Sequence, residues 1–281
     1  GPGIINYDIS GNNFTVLNAS VLQSTSLQTL NIRSNGLSAA LDTSGTNLQE
    51  IRTFVSGGNT HPIADLSGKS FLTAYISDNQ TFSVNAVGTI IFNNCTNLSR
   101  IDVYNSNVTG RLPNFSTNTS LSIFYSWNTA WLDASENYSI EADTFGPTNG
   151  GCRSTLTQFN LQCGNLRGPI HPEAFRNMRA LTSLAVRSYR RGITGEYPTS
   201  INQCFNLRAL YLDQNFIGGE IPNFAGNTNI NTIVLSQNSF TGNVPLISLP
   251  QLSIFFVNNN SLTGFQGLSC PNPVSYTHLR A

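Results

Sequence analysis

The chain has 281 residues, with 14 Lys and Arg against 14 Asp and Glu. Only 10% of its residues are charged, so no basic stripe exists to release counterions from a polyanion, which argues against a nucleic-acid partner. No apolar run approaches the ~20 residues of a membrane span. With one lysine, Lys69, against 36 asparagines, the surface must be covered by amides and hydroxyls.

Taken in order, apolar residues recur at one spacing. Ile4/Tyr7/Ile9/Asn12/Phe14 fits it as a first coil, and Leu27/Leu30/Ile32/Asn35/Leu37 matches it fully. The stretch from Leu48 to Asn59 is a coil in an irregular register, and Phe71/Ala74/Ile76/Asn79 is a weaker copy. Leu98/Ile101/Val103, Leu121/Phe124/Ser126, Leu156/Phe159/Leu161 and Leu181/Leu184/Val186 keep the apolar pair but put Ser106, Thr129, Gly164 and Tyr189 in the asparagine column. Three complete copies follow: Leu207/Leu210/Leu212/Asn215/Ile217, Ile230/Ile233/Leu235/Asn238/Phe240 and Leu252/Phe255/Val257/Asn260/Leu262.

The frame is L-x-x-L-x-L-x-x-N-x-L with a period of 22 to 23 residues in the last three copies, which is the leucine-rich repeat pattern. Leu210 and Leu212 alternate as on a strand and face one side, while Ala209, Tyr211 and Asp213 face the other. Asn215 follows the strand, where a short amide can turn inward and pair with the main chain of the bend. One such coil cannot bury its own apolar face, but a stack can. About eleven coils, ~4.8 Å apart, make one elongated solenoid of roughly 50 Å with a parallel sheet on its concave face. It is expected to cover residues 1–268, with a tail over 269–281.

A second phrase follows the asparagine column: Val108-Thr-Gly-Arg-Leu-Pro113, Ile193-Thr-Gly-Glu-Tyr-Pro198, Ile217-Gly-Gly-Glu-Ile-Pro222 and Phe240-Thr-Gly-Asn-Val-Pro245. It resembles the L-T-G-x-I-P extension of plant-type leucine-rich repeats, which also occurs in surface proteins of algae and protists and in virion proteins of marine phages. The phrasing from Asn114 to Leu121 and from Asn223 to Ile230 is similar to the phage versions. The resemblance covers roughly residues 4 to 268 and implies the fold. It does not choose a function, because this repeat serves receptors, inhibitors, adhesins and scaffolds alike.

Insertions are expected near 54–70, which carries Gly57-Gly58-Asn59 and His61-Pro62, and near 133–153, where one coil lengthens to 35 residues. The segment from Asp133 to Gly151 should project from the array. A smaller break falls at Ser188 to Gly192. His171-Pro-Glu-Ala-Phe-Arg-Asn-Met178 predicts one short convex helix, with Pro172 at its start and Phe175 and Met178 on one face. Ser275 to Ala281 leaves the repeat and resembles a translated sequencing adapter, so the natural chain is expected to continue past about Val274.

Cys95 and Cys204 share a column three residues before Leu98 and Leu207 and read as buried small apolar residues. Cys152 and Cys163 flank one coil, and a disulfide between them would pin the long insertion. Ten N-x-S/T sequons occur, nine of them in the first half of the chain, at Asn13, Asn18, Asn79, Asn94, Asn97, Asn107, Asn114, Asn118 and Asn137, and one at Asn259. Chance alone would give about six in so Asn-, Ser- and Thr-rich a chain, so the count is weak evidence for glycosylation. Asn79, in an asparagine column, should be unavailable.

No nucleophile elbow, phosphate loop, zinc helix or dinucleotide fingerprint occurs, and no cofactor or metal is implied. Asp102 and Asp213 stand about five coils apart, roughly 24 Å, too far for an acid–base pair. The candidate site is therefore the outward strand face: Tyr75, Asp102, Tyr104, Tyr125, Trp127, Arg187, Tyr211 and Asp213, with Asn160 and Gln162 between them. Aromatics and arginine are the residues on which interfaces concentrate energy. Two function classes stay open. One is an extracellular or cell-surface recognition and adhesion module that binds a protein or carbohydrate through this face. The other is a structural subunit of a virion or extracellular fibre that self-associates, with the array as scaffold.

Overall fold

The computed structural model describes residues 3–17, 24–32, 34–37, 50–54, 60–61, 66–78, 81–82, 92–105, 112–129, 139–163, 166–188, 192–271 and 274–277. Its strands are, in chain order, β1 (Asn6–Asp8), β2 (Thr29–Asn31), β3 (Glu50–Phe54), β4 (Thr60–His61), β5 (Ala74–Asp78) and β6 (Thr81–Phe82). Next come β7 (Arg100–Tyr104), β8 (Ile123–Thr129), β9 (Gln158–Cys163), β10 (Ser183–Arg187) and β11 (Ala209–Tyr211). The last are β12 (Thr232–Val234), β13 (Thr241–Val244), β14 (Ile254–Phe256), β15 (Ser261–Phe265) and β16 (Ser275–Thr277).

Twelve of these form one parallel sheet in the order β1-β2-β3-β5-β7-β8-β9-β10-β11-β12-β14-β16. Each is paired only with the strands of the coils before and after it. The inward positions are buried along its length: Leu210, Leu212, Ile233, Leu235, Phe255 and Val257 are all 0% exposed. The middle of the stack is aromatic rather than aliphatic, with Phe124 on Phe159 at 5.1 Å, Phe145 edge-on to Phe159 at 5.1 Å, and Phe145 against Phe175 at 5.7 Å.

The asparagine column works by bonding across coils. Asn215 Nδ2 donates to Val186 O (2.8 Å) one coil back and to Leu212 O (2.9 Å) in its own, while its Oδ1 accepts from Ile193 N (3.1 Å). Asn35, Asn238 and Asn260 repeat the arrangement. The residue just before each of them takes a left-handed backbone, as at Gln214 (φ 62°) and Gln237 (φ 57°), and this turns the strand into the convex path. The T-G-x-I-P phrase then builds a second, shorter parallel ladder. Bridges join Pro169 to Thr194, Glu196 to Gly218 and Glu220 to Thr241, and β13 pairs with β15.

Several expectations are corrected. The sheet has twelve strands rather than about eleven, because Ser275–Thr277 pairs with β14 instead of leaving the array. The copy at Phe71/Ala74/Ile76 slips by one residue: Leu72 (0%) and Tyr75 (4%) are inside and Phe71 is 53% exposed. With a side-chain period of 2, that slip exchanges every inward and outward residue of the strand. The segment His171 to Met178 makes turns, not a helix. Its bonds run from Ala174 N to His171 O, Arg176 N to Glu173 O and Met178 N to Phe175 O, each spanning three residues, and Asn177 at φ 58° ends any propagation. Among the described residues the one 3₁₀ helix is Thr199–Gln203.

The long coil does not project over its described part, residues 139–153. Ile140, Phe145 and Cys152 are each 0% exposed, and Arg153 is 3% exposed. Arg153 holds this part together: it donates from Nε to Gly146 O (2.8 Å), from Nη1 to Ala174 O (2.9 Å) and Arg176 O (2.8 Å), and from Nη2 to Ala142 O. Burial lowers its pKa from the usual arginine value. Residues 130–138 lie outside the described set, as does most of the 54–70 insertion.

Candidate functional site

The sheet register sorts the strand face into three outward columns. Arg100, Ile123, Gln158 and Ser183 form the first, and Asp102, Tyr125, Asn160, Ala185 and Tyr211 the second. Tyr104, Trp127, Gln162 and Arg187 form the third. Tyr104 and Trp127 are therefore direct neighbours, as are Asp102 and Tyr125. Asp102 and Asp213 are four strand steps apart, about 19 Å rather than 24 Å.

Tyr75 does not belong here. It sits in the inward column beside Ile101, with its ring edge-on to Phe92 at 5.4 Å. Ile76 takes the outward place.

Two clusters of the same composition flank the aromatics. At one, Arg100 Nε donates to Asp102 Oδ2 at 2.7 Å while its guanidinium lies 5.7 Å from the Tyr125 ring centre. At the other, Arg187 Nε donates to Asp213 Oδ1 at 2.7 Å and its guanidinium lies 4.7 Å from the Tyr211 ring. Each arginine is thus held by a carboxylate and set against an aromatic ring, a pairing that lysine does not reproduce. Asp102 is 3% exposed; burial pushes its carboxyl above the usual range, and the bond from Arg100 partly offsets this. The same bond raises Arg100, and burial raises the Tyr104 hydroxyl. Tyr125 donates its hydroxyl to Gln158 Oε1. Trp127 has no such enclosure and is 48% exposed.

The fold has counterparts among solved structures. Over 97% of this chain, the backbone superposes on 33% of the LRR ectodomain of the plant membrane receptor kinase GASSHO1/SCHENGEN3 from Arabidopsis thaliana, at a TM-score of 0.60 and 19% identity. A TDR receptor matches over 96% of this chain and 51% of its own, at 0.59 and 20%. The plant peptide hormone receptor RGFR1, in complex with RGF2, matches over 96% and 54%, at 0.50 and 16%. The fold is a leucine-rich repeat solenoid. No family model matches the chain. Among curated proteins, Receptor-like protein 35 of Arabidopsis thaliana is 28% identical over 165 residues, 57% of this chain. The chain spans 16% of that relative's length.

Within the solenoid the remaining candidates fall into place. Neither Cys152 nor Cys163 is joined in a disulfide. Cys163 ends β9, while Cys152 lies in the turn before it, so the whole strand of six residues, about 16 Å long, stands between the two columns. Burial pushes the Cys152 thiol up to about 12, and Cys204 likewise. Of the sequons, Asn13, Asn94, Asn97 and Asn114 are exposed, and Asn18, Asn79, Asn107 and Asn137 lie outside the described residues. Asn118 is 0% exposed, with both amide hydrogens donated to Phe92 O (2.8 Å) and Cys95 O (3.2 Å). It is a structural residue and not a glycan acceptor.

Sequence reading missed Arg100 and Gln158, which touch Tyr125 from the first column. Their only signal was their position immediately before the inward Ile101 and Phe159. Among the described residues no cluster of His, Cys, Asp and Glu could hold a metal ion, and no helix is long and apolar enough to cross a membrane.

Proposed function

We propose that the chain is an extracellular recognition module, without enzymatic activity, that binds a protein or peptide through the strand face between β7 and β11. The observation that carries this reading is the pair Tyr104 and Trp127, adjacent in one outward column, flanked by two arginines already fixed in place by Asp102 and Asp213. An exposed indole beside pre-oriented guanidinium groups supplies the side chains on which binding energy concentrates, at little cost in ordering. The solved neighbours lend support: one is an ectodomain in complex with CASPARIAN STRIP INTEGRITY FACTOR 2 and another a peptide hormone receptor in complex with RGF2.

The test is the double variant Tyr125→Ala/Trp127→Ala. Neither ring is in the interior, so the melting temperature should stay nearly unchanged while binding to a protein partner, captured from cell surfaces by the whole chain, is lost. Capture abolished by glycosidase but not by protease treatment of those surfaces would assign the face to carbohydrate. A double variant that binds normally or self-assembles like the parent would make the face a scaffold.

A further inference from the structure

Among the described residues four carboxylate or amide oxygens are buried without a hydrogen-bond partner: Asp102 Oδ1, Asn118 Oδ1, Asn160 Oδ1 and Asn227 Oδ1. Two of these belong to the interior, where Asn118 and Asn227 spend their amide hydrogens on turn carbonyls. The other two are on the strand face. Asp102 and Asn160 stand in the second outward column on either side of Tyr125. A buried acceptor without a donor costs about 1–3 kcal/mol, more when charged. Two such acceptors in one column of a binding face mark where a ligand's donors go.

Their spacing restricts the ligand. Two strand steps of ~4.8 Å separate them by about 9.6 Å. A fully extended peptide lying along the stack puts residues i and i+2 on one side only ~6.7 Å apart, and turns residue i+3 to the opposite side. A polyproline II helix has three residues per turn and rises ~3.1 Å each, so i and i+3 face the same way about 9.3 Å apart. Only the second geometry serves both acceptors, and Tyr125 between them offers the intervening residues a ring to lie on.

Building on the strand-face reading above, we propose that Asp102 and Asn160 form a paired acceptor subsite for a peptide in polyproline II conformation. A basic side chain donates to Asp102 Oδ1, and a second donor three residues along donates to Asn160 Oδ1. Both Oδ1 atoms are covered in the free chain, so docking turns the Asn160 amide outward and moves Arg100, whose side chain is 42% exposed, without breaking its bond to Oδ2.

Random dodecapeptides displayed on phage, panned against the whole chain and counter-selected on Tyr125→Ala/Trp127→Ala, test this directly. Recovered peptides should carry Arg or Lys with a donor side chain three residues away. A synthetic representative should bind Asp102→Asn about tenfold more weakly or worse, the loss expected for a charged hydrogen bond. Asn160→Leu should remove the preference at the second position alone, and it carries the test if Asp102→Asn fails to fold. Peptides that bind both variants as they bind the parent overturn the subsite and leave strand-face recognition standing. If no peptide depends on Tyr125 and Trp127, the recognition reading fails and the subsite with it.

Discussion

Asn118 Nδ2 donates to the main-chain carbonyl of Cys95, one coil back, at 3.2 Å, and Asn227 makes the same bond to Cys204 at 3.0 Å. Each also holds a second carbonyl, Phe92 O and Ile201 O respectively. Two return turns are therefore each closed by a buried amide, in a column where other coils place Cys95, Met178, Cys204 or Leu249. Asn118→Ala takes one of two donors from each carbonyl, since Cys95 N–H still bonds Phe92 O and Leu98 N–H still bonds Cys95 O, and should cost about 1–3 kcal/mol in all, measured by urea denaturation. In a eukaryotic secretory host, glycopeptide mapping should find no sugar at Asn118, whereas Asn13, Asn94, Asn97 and Asn114 are open to the transferase. A glycan on Asn118 would mean that this coil is not packed as described.

Removing a core side chain of the sheet should be costly. Leu212 is fully buried between the coils of Val186 and Leu235, and Leu212→Ala should lose about 2–5 kcal/mol. A loss below about 1 kcal/mol in chemical denaturation would be inconsistent with its position.

Arg153 provides a sharper case. It is buried and its recorded hydrogen bonds go to carbonyl oxygens of residues 142, 146, 174 and 176. Arg153→Met fills much of the volume yet leaves those oxygens bare, so it should destabilise the chain by more than about 3 kcal/mol. Arg153→Lys should recover little, since an ammonium cannot span four acceptors set out for a planar fork. Full rescue by lysine in thermal unfolding would show that charge alone matters there.

The thiols report the absence of the predicted bridge. With Cys152 and Cys204 pushed up to about 12 and Cys95 and Cys163 also buried, native protein at pH 8 should titrate with a thiol reagent at Cys270 first. The other four should react only as the chain unfolds. A reducing agent should leave the melting temperature unchanged, and a drop would argue for a disulfide.

Asp102 sets a pH dependence. Its folded carboxyl is raised above the ordinary ~3.9, so the folded state holds its proton more tightly than the unfolded chain does. The sign follows: this group's contribution to stability declines as pH rises from below ~3.9 through the raised value, and grows as pH falls. Carbon-detected NMR should place the Asp102 midpoint above that of a free aspartate. Asp102→Asn should flatten this part of the stability profile; an unchanged profile would show that the carboxylate is adequately solvated.

The legible parts of the chain are those where one pattern serves packing and hydrogen bonding together. At Leu210, Leu212 and Asn215 the apolar spacing and the amide agree, and the register follows from either. The aromatic strip was readable for the same reason: once Ile101, Val103, Phe124 and Ser126 face inward, Tyr104, Tyr125 and Trp127 must face out. At Phe71 to Ile76 two apolar registers compete, and only the neighbouring strands choose Tyr75 for the interior. The fate of residues 139–153 was hidden by composition. Gly146, Pro147 and Gly150 announce a loop, but nothing local shows that Phe145 and Arg153 find partners in Phe159, Phe175 and Ala174 of later coils. Arg100 escaped notice because its role depends on Tyr125, in the next coil.

Because every strand in the large sheet bonds only to the coils before and after it, no contact between strands among the described residues ties the first coil to the last. Pulled by its ends, such a molecule should lengthen in steps, shedding terminal coils one by one, instead of giving way in a single event. The steps should stall at the phenylalanine-packed block that Arg153 knots together. That block would then be the part still folded when a partner, gripping the strand face beside it, is under load.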